Sequence, residues 1–188
     1  FDSLMIDYSK KPLEENISIT CQALELAEQY SVAVEAELGE LQRNDGVASI
    51  KSQNLVDPKD VAVFLGRAKP DMLAIGIGNA HGFYKGEPNI RIDLLEKVRD
   101  TAKGIPLVLH GTTGIPDQIV KDCISRGIAK VNFGTLIRFK YLEYFTAGLN
   151  GAVDHNNHTW KISKYAMETL KNDIRSIIHL TGAAGRVE

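Results

Sequence analysis

Five short apolar runs recur along this chain, each followed by a segment with helical spacing, and that alternation limits the folds open to it. The runs are SLMIDYS (3–9), VAVEAEL (32–38), MLAIGIG (72–78), PLVLHG (106–111) and AKVNFGT (129–135). Apolar strands alternating with helices build a parallel sheet covered by helices. After the first run, Leu13, Ile17, Cys21 and Leu24 form one helical stripe, with Pro12 and Glu14 suited to a first turn. Residues 57–68 offer Asp57 as N-cap, Pro58 as the first helical residue, and Val61, Phe64, Leu65 and Ala68 as the buried face. Residues 93–102 repeat the plan with Leu94, Leu95, Val98 and Ala102. The next helix starts near Pro116, buries Ile119, Val120, Cys123 and Ile124, and stops at Gly127. Residues 135–148 and 160–179 read as two closing helices joined by a polar loop, 151–159. No stretch has linker composition, so residues 1–188 read as a single domain.

An open doubly wound sheet and a (β/α)8 barrel share this rhythm, and the polar residues inside the strands choose between them. Alternation in VAVEAEL puts Val32, Val34, Ala36 and Leu38 on one face and Ala33, Glu35 and Glu37 on the other. Two carboxylates cannot face a dry helix layer, but they suit a barrel interior near its C-terminal mouth. In LAIGIG, the residues opposite Leu73, Ile75 and Ile77 are Ala74, Gly76 and Gly78, which leave room for a ligand. The expected fold is α/β, the last five β/α units of a (β/α)8 TIM barrel with C-terminal helices. Five strands are countable where a barrel has eight.

Composition excludes more than it assigns. Lys plus Arg number 22 against 24 for Asp plus Glu, a formal charge of −2 and no basic surface for nucleic acid. No apolar run approaches a membrane span and no leader is visible, so the expectation is a cytoplasmic protein without a membrane partner. Cys21 and Cys123 fall on apolar helical faces and read as reduced packing residues.

The chemistry collects at strand ends. GNAHGFYKGEP (78–88) and LHGTTG (109–114) place His81 and His110, each followed by glycine, at the C-terminal edge of consecutive strands. Two such imidazoles with a carboxylate or third histidine make a metal site with an open position. Glu37 is the nearest candidate carboxylate; Glu35 reads equally as a partner behind the site or as an internal salt bridge. GTTGIPD (111–117) and VNFGT (131–135) lead into helices and offer amides and hydroxyls to an anion, a pair of loops that (β/α)8 enzymes use for phosphate. Elsewhere, His155 and His158 read as solvated loop residues and His179 as part of helix packing. Trp160 and Tyr165 read as anchors of the last helix, and RFKYLEYF (138–145) as an interface or core face.

The segments MIDYS, VEAELG, DGV, DPKD, AIGIGNAHGFYKGEP, IPLVLHGTTGIPD, AKVNFGT and GAAGR stand in the order seen in class II, metal-dependent fructose- or tagatose-bisphosphate aldolases. The resemblance runs over essentially the whole chain and leans toward the tagatose type. It implies a (β/α)8 barrel, Zn2+ held by three histidines of which two match His81 and His110, and Glu37 beside the metal as an assisting group. It further implies substrate phosphate held at Gly82, Gly111, Thr113, Asn132, Gly134 and Thr135, with a monovalent cation such as Na+ or K+ on carbonyls near Gly82 and Gly111. The substrate would be a small phosphorylated sugar, cleaved reversibly to dihydroxyacetone phosphate and an aldehyde by a cytoplasmic homo-oligomer.

The family's principal acid/base aspartate and its remaining zinc histidine belong to strands that precede MIDYS, and neither stands in these 188 residues. Tyr8 replaces a usual glycine, Thr112 a small residue, Asn79 a Ser or Thr, and Asn44 the mobile-loop glutamate. These departures keep open a non-catalytic, phosphate-binding or structural subunit derived from such an aldolase, or an aldolase with a different aldehyde partner.

Overall fold

The computed structural model describes residues 1–43, 55–84 and 86–186. The chain packs as two compact units, Phe1–Asn132 and Phe133–Glu188. Asn44 and the DGV segment lie outside the described residues.

Among the described residues, the first unit is built on a five-stranded parallel sheet. Its strands are β1 (Ser3–Ile6), β2 (Ala33–Leu38), β4 (Met72–Ile75), β6 (Leu107–Leu109) and β7 (Ile128–Val131), side by side in chain order. Two shorter strands, β3 (Gln42–Arg43) and β5 (Ala80–His81), pair with each other. The crossovers carry α1 (Leu13–Glu28), α2 (Pro58–Arg67), α3 (Ile92–Ala102) and α4 (Asp117–Ser125). A doubly wound sheet reverses its strand order at a switch point. This one never does, and an unreversed succession of parallel strands is a stretch of barrel wall.

The alternation in the strands sorts into two layers. Ala36, Leu38, Leu73, Ile75, Ile77, Leu107, Leu109 and Ile128 form one core with Ile17, Val61, Phe64, Leu95, Val98 and Cys123 from the helices. In register across the other face stand Glu37, Ala74, Val108 and Lys130. The strands end earlier than their apolar runs, because side chains take over from the ladder. Beyond β1, the Asp7 carboxylate accepts from the Ser9 backbone N–H; beyond β4, the Asn79 side chain accepts from the Ile77 N–H. Gly39 and Gly76 let the tops of β2 and β4 meet backbone to backbone: a Cβ on Gly76 would lie 2.9 Å from the Gly39 carbonyl. Leu4 and Met5 of β1, a strand paired on one side only, are both exposed. Cys123 is buried, Cys21 is half-buried, and both are free thiols.

The second unit contains α5 (Thr135–Ala147) and α6 (Thr159–Leu180), which pack on each other. Tyr144 donates from its hydroxyl to Asp173 at 2.6 Å. Tyr165 packs close to Gly148, as an anchor should, but Trp160 does not serve as one and is 60% exposed. The buried stripe of α6 is Ile162, Ala166 and Leu170, and a residue two positions before Ile162 projects from the opposite side of the helix. His179 is likewise exposed in the last turn rather than packed, while His155 accepts from the Asn157 N–H in its loop. Phe139 and Leu142, on RFKYLEYF, are exposed. Among the described residues, no helix is long and apolar enough to cross a membrane.

The Asp57 carboxylate accepts from the Lys59 N–H at 2.8 Å and Pro58 follows, as the sequence predicts. Replacing Asp57 with Ala should cost about 1 kcal/mol in urea unfolding, and Asp57→Asn should recover most of it.

Candidate active site

The candidate side chains gather where the strands of the first unit end. His110 follows β6 directly and is buried, 6% exposed; His81 ends β5 and is half-buried. Their rings meet edge to face with centroids 6.0 Å apart. Sequence reading did not find β5, because the two-residue strand that carries His81 is set by pairing with β3 and by nothing periodic in GNAHG.

Three contacts hold the two histidine loops together. Gly111, at φ +64°, lies so close to Ala80 that a Cβ there would sit 2.3 Å from the Ala80 carbonyl oxygen. Tyr84 accepts from the Ala80 N–H and donates to the Gly111 carbonyl, each at 2.8 Å. Asn79 donates to the His110 carbonyl at 2.9 Å. The Gly111→Ala variant should therefore force the loops apart and carry left-handed strain as well, costing roughly 2 kcal/mol or more. Urea unfolding would read the loss, and a crystal structure would show His81 and His110 separated.

Behind His110 sits a charged chain of contacts. Glu35, on β2 and 2% exposed, places Oε1 2.6 Å from His110 Nε2 and accepts from Lys130 of β7 at 2.5 Å through Oε2. Burial pushes the Glu35 carboxyl up, but the hydrogen bonds and charges of His110 and Lys130 outweigh it and leave the pKa lowered. An ionised carboxylate only accepts, so a ring protonated on Nε2 satisfies this contact and leaves Nδ1 for a ligand. The Asn132 Nδ2 also lies 3.2 Å from Nε2, so a proton on Nε2 requires that amide to turn and present its oxygen.

Glu37 has the opposite fate. Burial, with Asp7 adding like charge, lifts it to about 7, against weaker help from His110, the Ser9 hydroxyl at 3.1 Å and the Leu41 backbone. A carboxyl whose folded-state pKa is raised imposes no penalty below its ordinary value of 4.5. The penalty grows as pH climbs from there to about 7 and is complete above it. At about 1.4 kcal/mol per unit it reaches roughly 3 kcal/mol. In metal-free protein, Glu37→Gln should thus gain on the parent through that window in pH-dependent urea unfolding, and match it near pH 4.

The phosphate candidates divide between the units. In the first, Gly82 follows His81, Gly111 and Thr113 follow His110, and Asn132 follows β7; Thr113 is buried. The Thr112 hydroxyl donates to the Asn132 carbonyl at 2.7 Å and ties the loop after β6 to that after β7. In the second, Gly134 precedes α5 and Thr135 opens it, with Arg138 reaching the Thr135 hydroxyl at 3.4 Å.

The donor set can be tested against zinc. Two imidazoles sharing an ion at about 2.1 Å per nitrogen place their centroids roughly 5–6 Å apart, which the 6.0 Å separation approaches. Among the described residues, no group of three His, Cys, Asp or Glu could hold a metal. The pair fits a metal as two of its ligands, with the rest of the shell coming from elsewhere.

Unreversed parallel strands with buried ionisable groups and paired imidazoles at their carboxyl ends define part of a (β/α)8 barrel with its site at the C-terminal mouth. The sequence matches the family "Fructose-bisphosphate aldolase class-II" over residues 1–186, and the chain belongs to that family. It is 44% identical over 135 residues to fructose-bisphosphate aldolase of Geobacillus stearothermophilus, covering 72% of this chain and 47% of that protein. It is 34% identical to the D-tagatose-1,6-bisphosphate aldolase subunit GatY of Klebsiella oxytoca, covering 98% of this chain and 65% of the relative. The crystal structure of the YdjI aldolase from Escherichia coli K12 superposes with a TM-score of 0.84 at 32% identity, over 100% of this chain and 64% of that one. The chain thus spans about half to two thirds of the length of these curated relatives.

Proposed function

We propose that this chain supplies the metal- and phosphate-binding part of a zinc-dependent aldolase, one that reversibly cleaves a ketose (bis)phosphate to dihydroxyacetone phosphate and an aldehyde. The observation that carries the reading is the edge-to-face pair of His81 and His110 at the strand ends of a class II aldolase family member.

In this reading His81 and His110 are two zinc ligands, His110 through Nδ1. Zinc bound there supplies a Lewis acid for the substrate carbonyl. Glu37, poised near neutrality beside the site, can hold or release a proton as an assisting group. Gly82, Gly111, Thr113, Asn132, Gly134 and Thr135 hold the phosphate, and carbonyls near Gly82 and Gly111 take Na+ or K+. The Gly111 carbonyl already accepts from Tyr84, so a cation would use its second lone pair. The third histidine and the principal acid/base aspartate come from outside these 188 residues. A cytoplasmic homo-oligomer acting on a small phosphorylated sugar completes the proposal.

A second reading, a non-catalytic phosphate-binding or structural subunit, draws support from Tyr8 and Asn44, which stand where the resembled family has a glycine and a glutamate. The two separate cleanly in the protein that carries this chain. His110→Ala and His81→Ala should each lower zinc affinity by roughly 100-fold and abolish release of triose phosphate from ketose bisphosphates. Unchanged zinc content in both variants would overturn the metal assignment. Zinc bound by the parent protein with no triose phosphate from any ketose phosphate would favour the second reading.

A further inference from the structure

The buried carboxylate of Glu35 and its more exposed partner Lys130 have no part in the aldolase reading, yet their placement is specific. They come from strands 95 residues apart in sequence and meet on the polar face of the sheet. Between β2, which carries Glu35, and β6, which precedes His110, lies β4, whose residues on that face are Met72, level with Glu35, and Ala74, one step nearer the strand end. A small residue there leaves Glu35 room to reach across to the imidazole. One carboxylate oxygen takes His110 Nε2 and the other takes the Lys130 ammonium, so both are spent on fixed partners.

Resting on the site assignment above, we propose that Glu35 and Lys130 are positioning residues that fix the ring orientation and tautomer of His110 and so present Nδ1 to the metal. Lys130 anchors the carboxylate from the far side and keeps it from swinging into the site. A histidine held this way arrives with its ligating nitrogen already unprotonated, and removing such a partner typically weakens metal binding 10–100-fold. An ion pair serving only to hold strands together would leave the imidazole free to adopt either tautomer.

The decisive measurement needs no variant. Long-range proton–nitrogen NMR of histidine rings in the metal-free protein at neutral pH, with His110 identified by its loss in His110→Ala, should find the proton on Nε2. A His110 protonated on Nδ1 would overturn the proposal. Zinc titration then separates this idea from the aldolase reading. Glu35→Ala should bind zinc about 10–100-fold more weakly and Lys130→Met should weaken it in the same direction, with Lys130→Arg restoring the parent affinity. Parent-like affinity in Glu35→Ala, with binding lost in His110→Ala, would sink the strut while leaving the metal assignment standing. Parent-like affinity in His110→Ala would sink the metal assignment, and the tautomer would still decide whether Glu35 orients the ring.

Discussion

The approach of Gly111 to Ala80 is the contact on which the rest of the site depends. His81 and His110 belong to different crossovers, and no hydrogen-bond ladder runs directly between the residues that carry them. Their loops come this close because one backbone sits where a Cβ would otherwise be, at a φ that side chains avoid. Tyr84 and Asn79 then lock the approach by satisfying the carbonyls of Gly111 and His110 and the amides of Ala80 and Ile77. These groups would otherwise be buried polar atoms in want of partners, and filling them turns a close contact into a defined one. The clamp fixes the separation of the imidazoles before any ligand arrives.

Two glutamates, two residues apart on one strand and both buried, are held in opposite electrical states. Glu35 is met by an ammonium and an imidazole and keeps its charge below the usual carboxylate range. Glu37 meets a hydroxyl, a backbone N–H and the like charge of Asp7, and burial prevails. Separation of this kind equips one wall to do two jobs: the charged group orients a neighbour, and the one near neutrality can exchange a proton. What distinguishes them is reach. Glu35 extends across Ala74 toward β6 and β7, whereas Glu37 stands beside the turn that follows β1.

How much of this was legible in the sequence varies with the range of the interaction. The five main strands, their helices and the two faces of VAVEAEL follow from local periodicity, and the cap at Asp57 from its immediate neighbours. His81 and His110 were recognisable because each precedes glycine at an equivalent point of the repeat. The partner of Glu35 was not, because Lys130 sits in a run, IAKV, that reads as any half-exposed strand. Its meaning depends on a pairing 95 residues distant and on the smallness of Ala74 between. Trp160 misled for a related reason: large aromatics read as anchors until the helical phase of Ile162, Ala166 and Leu170 turns them outward.

Two of the positions where this chain departs from the pattern it resembles, Asn79 and Thr112, make structural sense together. Asn79 stands where a Ser or Thr is usual, and its amide accepts from Ile77 while donating to His110, a span that a short hydroxyl side chain does not match. Thr112 replaces a smaller residue and uses its hydroxyl on the Asn132 carbonyl, binding the loop that follows His110 to the end of β7. Both changes add ties around His110 without occupying the space in front of it. Tyr8 lies apart from them, in the turn where its own carbonyl accepts from the Lys11 N–H. Among the described residues, Asn79 and Thr112 therefore tie the backbone of His110 and the loop after it to β4 and β7.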